Sequence, residues 1–378
     1  MLSRILEDSI TRSGLGTIYE KVLAGERLSF EDGLRLYETP DTLSVGALAN
    51  IVRERKNGNR AYFNRNQHIN YTNICNKGCN FCAFQRLPGE EGAYVYSPEE
   101  IREKMKATLD YFISEVHMVA GINPRLPYSY YLDILRAVKS VRPNIHIKAF
   151  TMVELAQIVK LSKKSVEETL EELKSAGLGS LPGGGAEILT DRVHKQIYKL
   201  KLSPQEWLNM QRAVHKAGLR SNATMLYGHI ETIAERVEHL IKLRELQDET
   251  GGFQTFIPLA FHPDNTEMAD LPGTTGLLDL RNLAVPRLML DNFPHVKAFW
   301  IMVSPKIAQV SLSFGVDDMD GTVIEEKITH EAGATTPLGL TREEIVRLIR
   351  EAGRDPVERD TMYNPIEESQ TYELSAKV

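Results

Sequence analysis

All three cysteines of this 378-residue sequence fall within eight residues, in the run Cys75-Asn-Lys-Gly-Cys79-Asn-Phe-Cys82. An odd number of thiols, with no cysteine elsewhere, cannot build a disulfide framework. Thiols this close in sequence can converge on one small inorganic centre. The C-x3-C-x2-C spacing suits a cubane iron–sulfur cluster held by three thiolates, which leaves its fourth iron without a protein ligand. That iron is then open to the amino and carboxylate groups of a small molecule. Gly78 would let the tight loop take backbone angles that a side chain disfavours. Two plainer readings stand beside this one. A structural zinc ion generally takes four protein ligands, and only His68, on the strand entering the loop, stands near as a fourth. Three inert buried cysteines would make the clustering a coincidence.

The elements that must position this loop read as an alternation. Apolar strand-like runs occur at 68–74, 115–121, 146–151, 178–185, 221–228, 254–261, 295–302 and, less clearly, 309–315. Helical patterns with readable starts lie between them. Ser97-Pro98-Glu99-Glu100 and Ser203-Pro204-Gln205-Glu206 are capping boxes with proline at the first helical position. Ser165 with Glu168, and Thr341 with Glu344, begin two more, and Gly177 ends the first of these. Seven or eight β-then-α units specify a parallel sheet with helical crossovers. Over about 250 residues they match a (β/α)8 TIM-type barrel better than an open sheet. The expected organisation is a helical segment over 1–63, the barrel over 64–330, and a C-terminal helical segment and tail over 331–378. The tail is polar from about Asn364 and is expected to be loosely held.

Composition narrows the class. With 42% hydrophobic and 25% charged residues, the chain reads as an ordinary globular enzyme. The net charge of −6 argues against a nucleic-acid partner, which would call for a basic surplus. No apolar run is long enough to predict a membrane span. The start, MLSRILEDSI, does not read as a secretory signal, so the cytoplasm is the expected compartment.

With Phe81 before its last cysteine, the C-x3-C-x2-C loop resembles the signature of radical S-adenosylmethionine (SAM) enzymes. HINYTNICNKGCNFCAFQRLPGEEGAY, SLPGGGAEIL, NATMLYGHIET, LRELQDETGGFQTFIPLAFHPDNT, DNFPHVKAFWIM and FGVDDMDGTVIEE together resemble the aminofutalosine synthase family, from about residue 55 to 363. Some blocks are shared with the cyclic dehypoxanthine futalosine synthases and the deazaflavin synthase subunits. The resemblance implies a radical-SAM-type barrel, a 4Fe-4S cluster on Cys75, Cys79 and Cys82, and SAM as a consumed co-substrate. It implies addition of the 5′-deoxyadenosyl radical to the enol ether 3-[(1-carboxyvinyl)oxy]benzoate. The product would be 6-amino-6-deoxyfutalosine, with loss of bicarbonate, in menaquinone biosynthesis. It also implies a one-electron donor such as a flavodoxin or ferredoxin. The same-class alternative is a cyclic dehypoxanthine futalosine synthase or related enzyme. The different-class alternative is a non-catalytic metal-binding protein.

Parallel barrels collect ligands at the C-terminal ends of their strands, and several unusual residues fall there. The resemblance makes Phe81, Gly121, Glu187 and Gly228 candidates for contact with SAM, Glu187 through the ribose hydroxyls. Gly121 also reads as a turn glycine, and Glu187 as an acid favoured by a helix start. His229, Glu231, His262, Asn265 and Lys297 are candidates for substrate contact. His229 and Glu231 also read as groups that cap their own loop. Lys148 and Lys297 would point into the barrel and need a partner, for which the substrate's two carboxylates are suited. Each lysine also reads as snorkelling to solvent.

Overall fold

The computed structural model describes residues 4–367. Its strands in chain order are β1 (Arg60–Asn64), β2 (Asn66–Ile69), β3 (Glu115–Met118), β4 (His146–Ala149) and β5 (Leu178–Leu181). They continue with β6 (Arg220–Tyr227), β7 (Phe253–Ala260), β8 (His295–Val296), β9 (Asp318–Gly321) and β10 (Asp355–Glu358). β2 to β8 form one curled sheet in sequence order, each neighbour parallel to the last. This is the α/β TIM-type barrel that the alternation specifies, with helices crossing between consecutive strands. Its strands are largely buried on both faces, as a sheet covered by helices requires, although β2 to β4 also carry polar residues. The caps read from sequence form as expected. Ser97, Ser165, Ser203 and Thr341 each accept from the backbone three residues on, with the glutamate side chain returning the bond.

The eighth wall position departs from expectation. The run 309–315 is not a strand. Pro305–Ser311 is helical, started by Ser304, whose hydroxyl accepts from Ile307 N, with Pro305 in the first turn. Ala308, Ser311 and Leu312 are buried, a spacing that follows the helical period rather than the strand period. The wall is instead completed by 317–324. Asp317 N donates to Val296 O (3.1 Å) and Ala298 N to Asp318 O (2.9 Å) on the β8 side. On the β2 side, Ile324 N donates to Asn66 O (3.2 Å) and His68 N to Ile324 O (2.8 Å). Three buried acids in this segment each meet a cation, which is what lets so polar a run serve as wall. Asp317 meets Arg287 and His295, Asp318 meets Arg359, and Asp320 meets Lys297.

The N-terminal segment forms the helices Arg4–Arg12, Gly16–Ala24, Phe30–Glu38 and Thr42–Asn57. It is not helical throughout, because 60–64 is β1, which pairs in parallel with both β9 and β10. The apolar run Ala61–Phe63 was hidden by its position directly after the Asn57-Gly58-Asn59 breaker. The helices lie against the last barrel helices, Ile233–Thr250 and Gly276–Met289: Arg27 reaches Asp248, and Tyr37 donates to Asn282 Oδ1 at 3.2 Å. Of the polar tail, 364–367 is described, with Ile366 N donating to Glu358 O at 2.8 Å, and the rest lies outside the described residues. Among the described residues no helix is long and apolar enough to cross a membrane.

Candidate active site

The loop after β2 is held in place by backbone bonds to three other segments. Cys75 N donates to Arg86 O (3.1 Å), Asn76 N to Ile122 O (3.1 Å) and Asn80 N to Ile197 O (3.0 Å). Gly78 has φ +53°, and its N–H is received by Gln85 Oε1 at 2.9 Å. All three cysteines line a single cavity of about 330 Å³ within the barrel, in the size range of small-molecule sites. Burial pushes the Cys79 thiol up to about 12 and raises Cys82 as well, so a metal centre must displace protons to bind there.

The donor set fits a cluster. Among the described residues no three His, Cys, Asp or Glu side chains surround a point where one ion would sit. A cubane asks for something else, one thiolate on each of three irons, and three thiols facing one cavity supply that. Lys201 stands beside them. It pairs with Glu187 Oε1 at 2.6 Å and lies 4.9 Å over the Phe81 ring. Burial opposes its charge, but Cys79 and Glu187 outweigh burial and keep it an ammonium.

Deeper in the barrel, adjacent strands place His68, His117 and Lys148 side by side in register. The rings of His68 and His117 stack at 4.6 Å, and Phe299 lies parallel to His68 at 6.3 Å. Lys148 pairs with Glu115 at 2.8 Å and Lys297 with Asp320 at 3.1 Å. Burial, then the neighbouring His117, drives the His68 imidazole down to about 3, so it is neutral.

Below the rim, Glu154 is buried and accepts from Tyr71 Oη (2.6 Å), Thr151 N (2.7 Å) and Ala120 N (3.1 Å). Burial raises its carboxyl to about 7 against these donors. Over the mouth runs 325–336, from which Glu326, Ile328, Thr329 and Ala332 line the cavity. His330 Nδ1 lies 3.2 Å from Glu326 Oε2, and its Nε2 lies 3.1 Å from Thr336 O. With acceptors at both nitrogens, and Glu326 foremost, its pKa rises to about 9.

Of the candidates read from sequence, the structure brings Cys75, Cys79, Phe81, Cys82, Gly121, Glu187, His262 and Lys297 to the cavity wall. His262 donates to Met302 O at 2.9 Å. Lys297 does not snorkel, because Asp320 supplies its counter-charge. Gly228, His229 and Glu231 do not line the cavity. Glu231 accepts from Gly228 N (2.6 Å) and His229 N (2.9 Å) and pairs with Arg236, while the imidazole of His229 bonds Leu226 O. Their polarity serves the loop itself. Asn265 also lies off the wall, donating to Glu331 O at 3.0 Å and so tying the loop after β7 to the segment over the mouth.

The residues missed from sequence are Lys201, His117, Asp320 and Glu326. Lys201 follows a helix rather than a strand, Asp320 lies in the acidic run that completes the wall, and Glu326 lies in the segment just after it. His117 was legible only as one residue within an apolar strand.

A barrel of this topology with a three-cysteine loop after its first strand defines a radical SAM enzyme. The chain matches the family model of the Radical SAM superfamily over residues 69–243, and that of the CofH/MqnC C-terminal region over 250–372. Methylornithine synthase (PylB) shares the fold, with a TM-score of 0.72 at 17% identity, over 94% of this chain and 99% of that one. Aminodeoxyfutalosine synthase of Thermus thermophilus is 51% identical over 353 residues, 92% of this chain and 95% of that protein. The Streptomyces coelicolor protein of the same name is 46% identical, over 92% and 93%. The chain belongs to the aminodeoxyfutalosine synthase family.

Proposed function

We propose that this enzyme joins the 5′-deoxyadenosyl group of SAM to 3-[(1-carboxyvinyl)oxy]benzoate. With one water consumed, it would give 6-amino-6-deoxyfutalosine, methionine, bicarbonate and a proton, in menaquinone biosynthesis. The observation that carries the reading is the single cavity shared by three cysteines, the Lys201–Glu187 pair and a deeper layer of histidines and carboxylate-paired lysines, in a chain 51% identical to a named aminodeoxyfutalosine synthase.

Cys75, Cys79 and Cys82 would hold a 4Fe-4S cluster, which when bound supplies the electron that splits SAM's C–S bond. Lys201 offers an ammonium to the methionine carboxylate, and Glu187 an acceptor to the amino or ribose groups. Gly121, on the cavity wall, lets the cysteine loop pack closely against the chain after β3, where a side chain would meet the Ile74 carbonyl. Lys297 and its layer orient the substrate carboxylates, so that the vinyl carbon lies in reach of the adenosyl carbon. The segment over the mouth keeps stray hydrogen-atom donors from the radical. A small reduced protein such as a flavodoxin or ferredoxin is the proposed electron source, and the cytoplasm the compartment.

The test is anaerobic reconstitution followed by turnover with SAM, a reductant and the enol ether. Methionine and bicarbonate should form one for one with an adenosyl-containing product. Cys79→Ala should abolish all three while remaining folded. Uptake of zinc without an iron–sulfide chromophore, or free 5′-deoxyadenosine without adduct, would refute the proposal.

A further inference from the structure

Most polar side chains on the cavity wall are already engaged by the protein. Lys148 meets Glu115 at 2.8 Å and Lys297 meets Asp320 at 3.1 Å, while His262 donates to Met302 O and Thr224 to Gly183 O. Asn222 differs. It lines the cavity at 2% exposure, and among the described residues no group bonds its carboxamide. A buried amide without a partner is costly, and one held on a cavity wall is suited to a ligand that supplies the missing bonds.

Its place in the barrel says which part of a ligand that is. In a barrel of this type a layer takes side chains from alternate strands, and the stagger raises it by about one residue per strand. Lys148 on β4 bridges Ser180, and Ser180 bridges Arg220, so the layer that holds Lys148 meets β6 two residues on, at Asn222. From Asn222 the bridges run through Thr255 to His295, and two residues on stands Lys297. Lys297 is close enough to oppose the charge of Lys148, as members of one layer should be. The carboxamide therefore stands on the strand between two ammonium groups. Each ammonium has three donors and spends one on its own carboxylate. Of the wall residues on β6, Asn222 lies lowest, beneath Thr224 and Leu226, at the end of the cavity away from the cysteines. The backbone there is fixed: a β-carbon on Gly183 would fall 1.7 Å from Asn222 O, a contact that only glycine permits.

We infer that Asn222 is a substrate-binding residue, whose amide N–H groups hold the carboxylate of the aromatic ring on the cavity floor between Lys148 and Lys297. This rests on the proposed substrate. Its vinyl carbon must face the adenosyl group on the cysteine side, which sends the ring carboxylate, at the far end of the molecule, to the floor.

The experiment is calorimetric titration of the cluster-reconstituted protein, with SAM present, using two unreactive ligands. One is 3-(1-carboxyethoxy)benzoate, the saturated analogue, and the other is 2-phenoxypropanoate, which lacks only the ring carboxylate. Asn222→Leu should bind the diacid about tenfold or more weakly, the worth of a hydrogen bond to a charged group, and should bind 2-phenoxypropanoate as the wild type does. Asn222→Asp, which keeps the shape of the side chain and sets a negative charge against the ligand, should weaken the diacid by about a hundredfold and spare SAM binding. Unchanged affinity of the diacid in either variant overturns the inference and leaves the functional reading intact. So does a loss in Asn222→Leu that is equal for the two ligands. A wild type that does not bind the diacid overturns both. The isosteric Asp variant decides the matter even if Asn222→Leu fails to fold.

Discussion

The backbone carbonyl oxygen of Ile74 stands 2.5 Å from the point that a β-carbon on Gly121 would occupy. Gly121 N also donates to Thr72 O at 2.9 Å, so the end of β3 is laid directly against the chain that leads into Cys75. A methyl group here meets backbone rather than a side chain that can turn away. Gly121→Ala should displace Ile74 and Cys75, at an overpacking cost of about 1–3 kcal/mol. Iron content per chain after reconstitution should fall well below that of the wild type, with the fold retained by circular dichroism. A full cluster with normal SAM cleavage would show that the contact does not govern the loop.

Lys201 and Glu187 form a pair whose two roles can be separated. Removing one partner of a buried ion pair costs about 3–5 kcal/mol, because the other charge is left alone. Lys201→Met should therefore lower thermal stability and weaken SAM binding together. Adding Glu187→Gln should recover most of the stability without recovering SAM affinity. Recovery of both in the double variant would reduce the pair to a structural one.

The wall segment 317–324 makes a prediction of the opposite kind. Asp318 is buried against Arg359, with Nε at 2.7 Å, and does not line the cavity. Asp318→Asn should cost several kcal/mol, of the order of about 3–5, by leaving the guanidinium uncompensated. Substrate KM in the surviving folded fraction should be little changed. Asp320→Asn, at the cavity and facing Lys297, should change KM as well. Equal KM effects in both variants would contradict this division.

The segment over the mouth should respond to alkali. His330 rises from an ordinary 6.5 to about 9 through its contact with Glu326. A raised imidazole pKa means that the folded form binds the extra proton, so its contribution is complete below 6.5 and is lost as pH rises through about 9. Amide exchange of 325–336, corrected for its intrinsic pH dependence, should quicken across that window. His330→Gln should exchange fast at every pH. Protection that is flat from pH 6.5 to 9.5 would count against the pair as the clasp.

Much of this arrangement was legible in the sequence, for physical reasons that differ by residue. Seven wall strands were legible from their buried, largely apolar runs, although the first begins earlier, at Asn66, and the last is strand only over His295–Val296 before a short helix at Trp300–Val303. The capping boxes at Ser97, Ser165, Ser203 and Thr341 marked helices. The last wall position was not legible. A run as acidic as Asp317-Asp318-Met-Asp320 reads as a solvated loop until its partners Arg287, Arg359 and Lys297, distant in sequence, are seen beside it. Lys201 carried no signal, since nothing about a lysine in a post-helical turn tells that Asn80 bonds to Ile197 and draws the turn against the cysteines. His229 and Glu231 show the opposite case. Polar residues at a strand end suggest ligands, yet here the groups they bind are their own backbone and Arg236.

If this enzyme adds the adenosyl radical, the carbon of SAM that becomes the radical ends up bonded to the substrate. Turnover with SAM carrying carbon-13 at the 5′ position, followed by mass and carbon NMR analysis, tests it directly. The label is expected within a new carbon–carbon bond of an aryl ketone nucleoside, released with one bicarbonate. Label found wholly in the methyl group of free 5′-deoxyadenosine would contradict it.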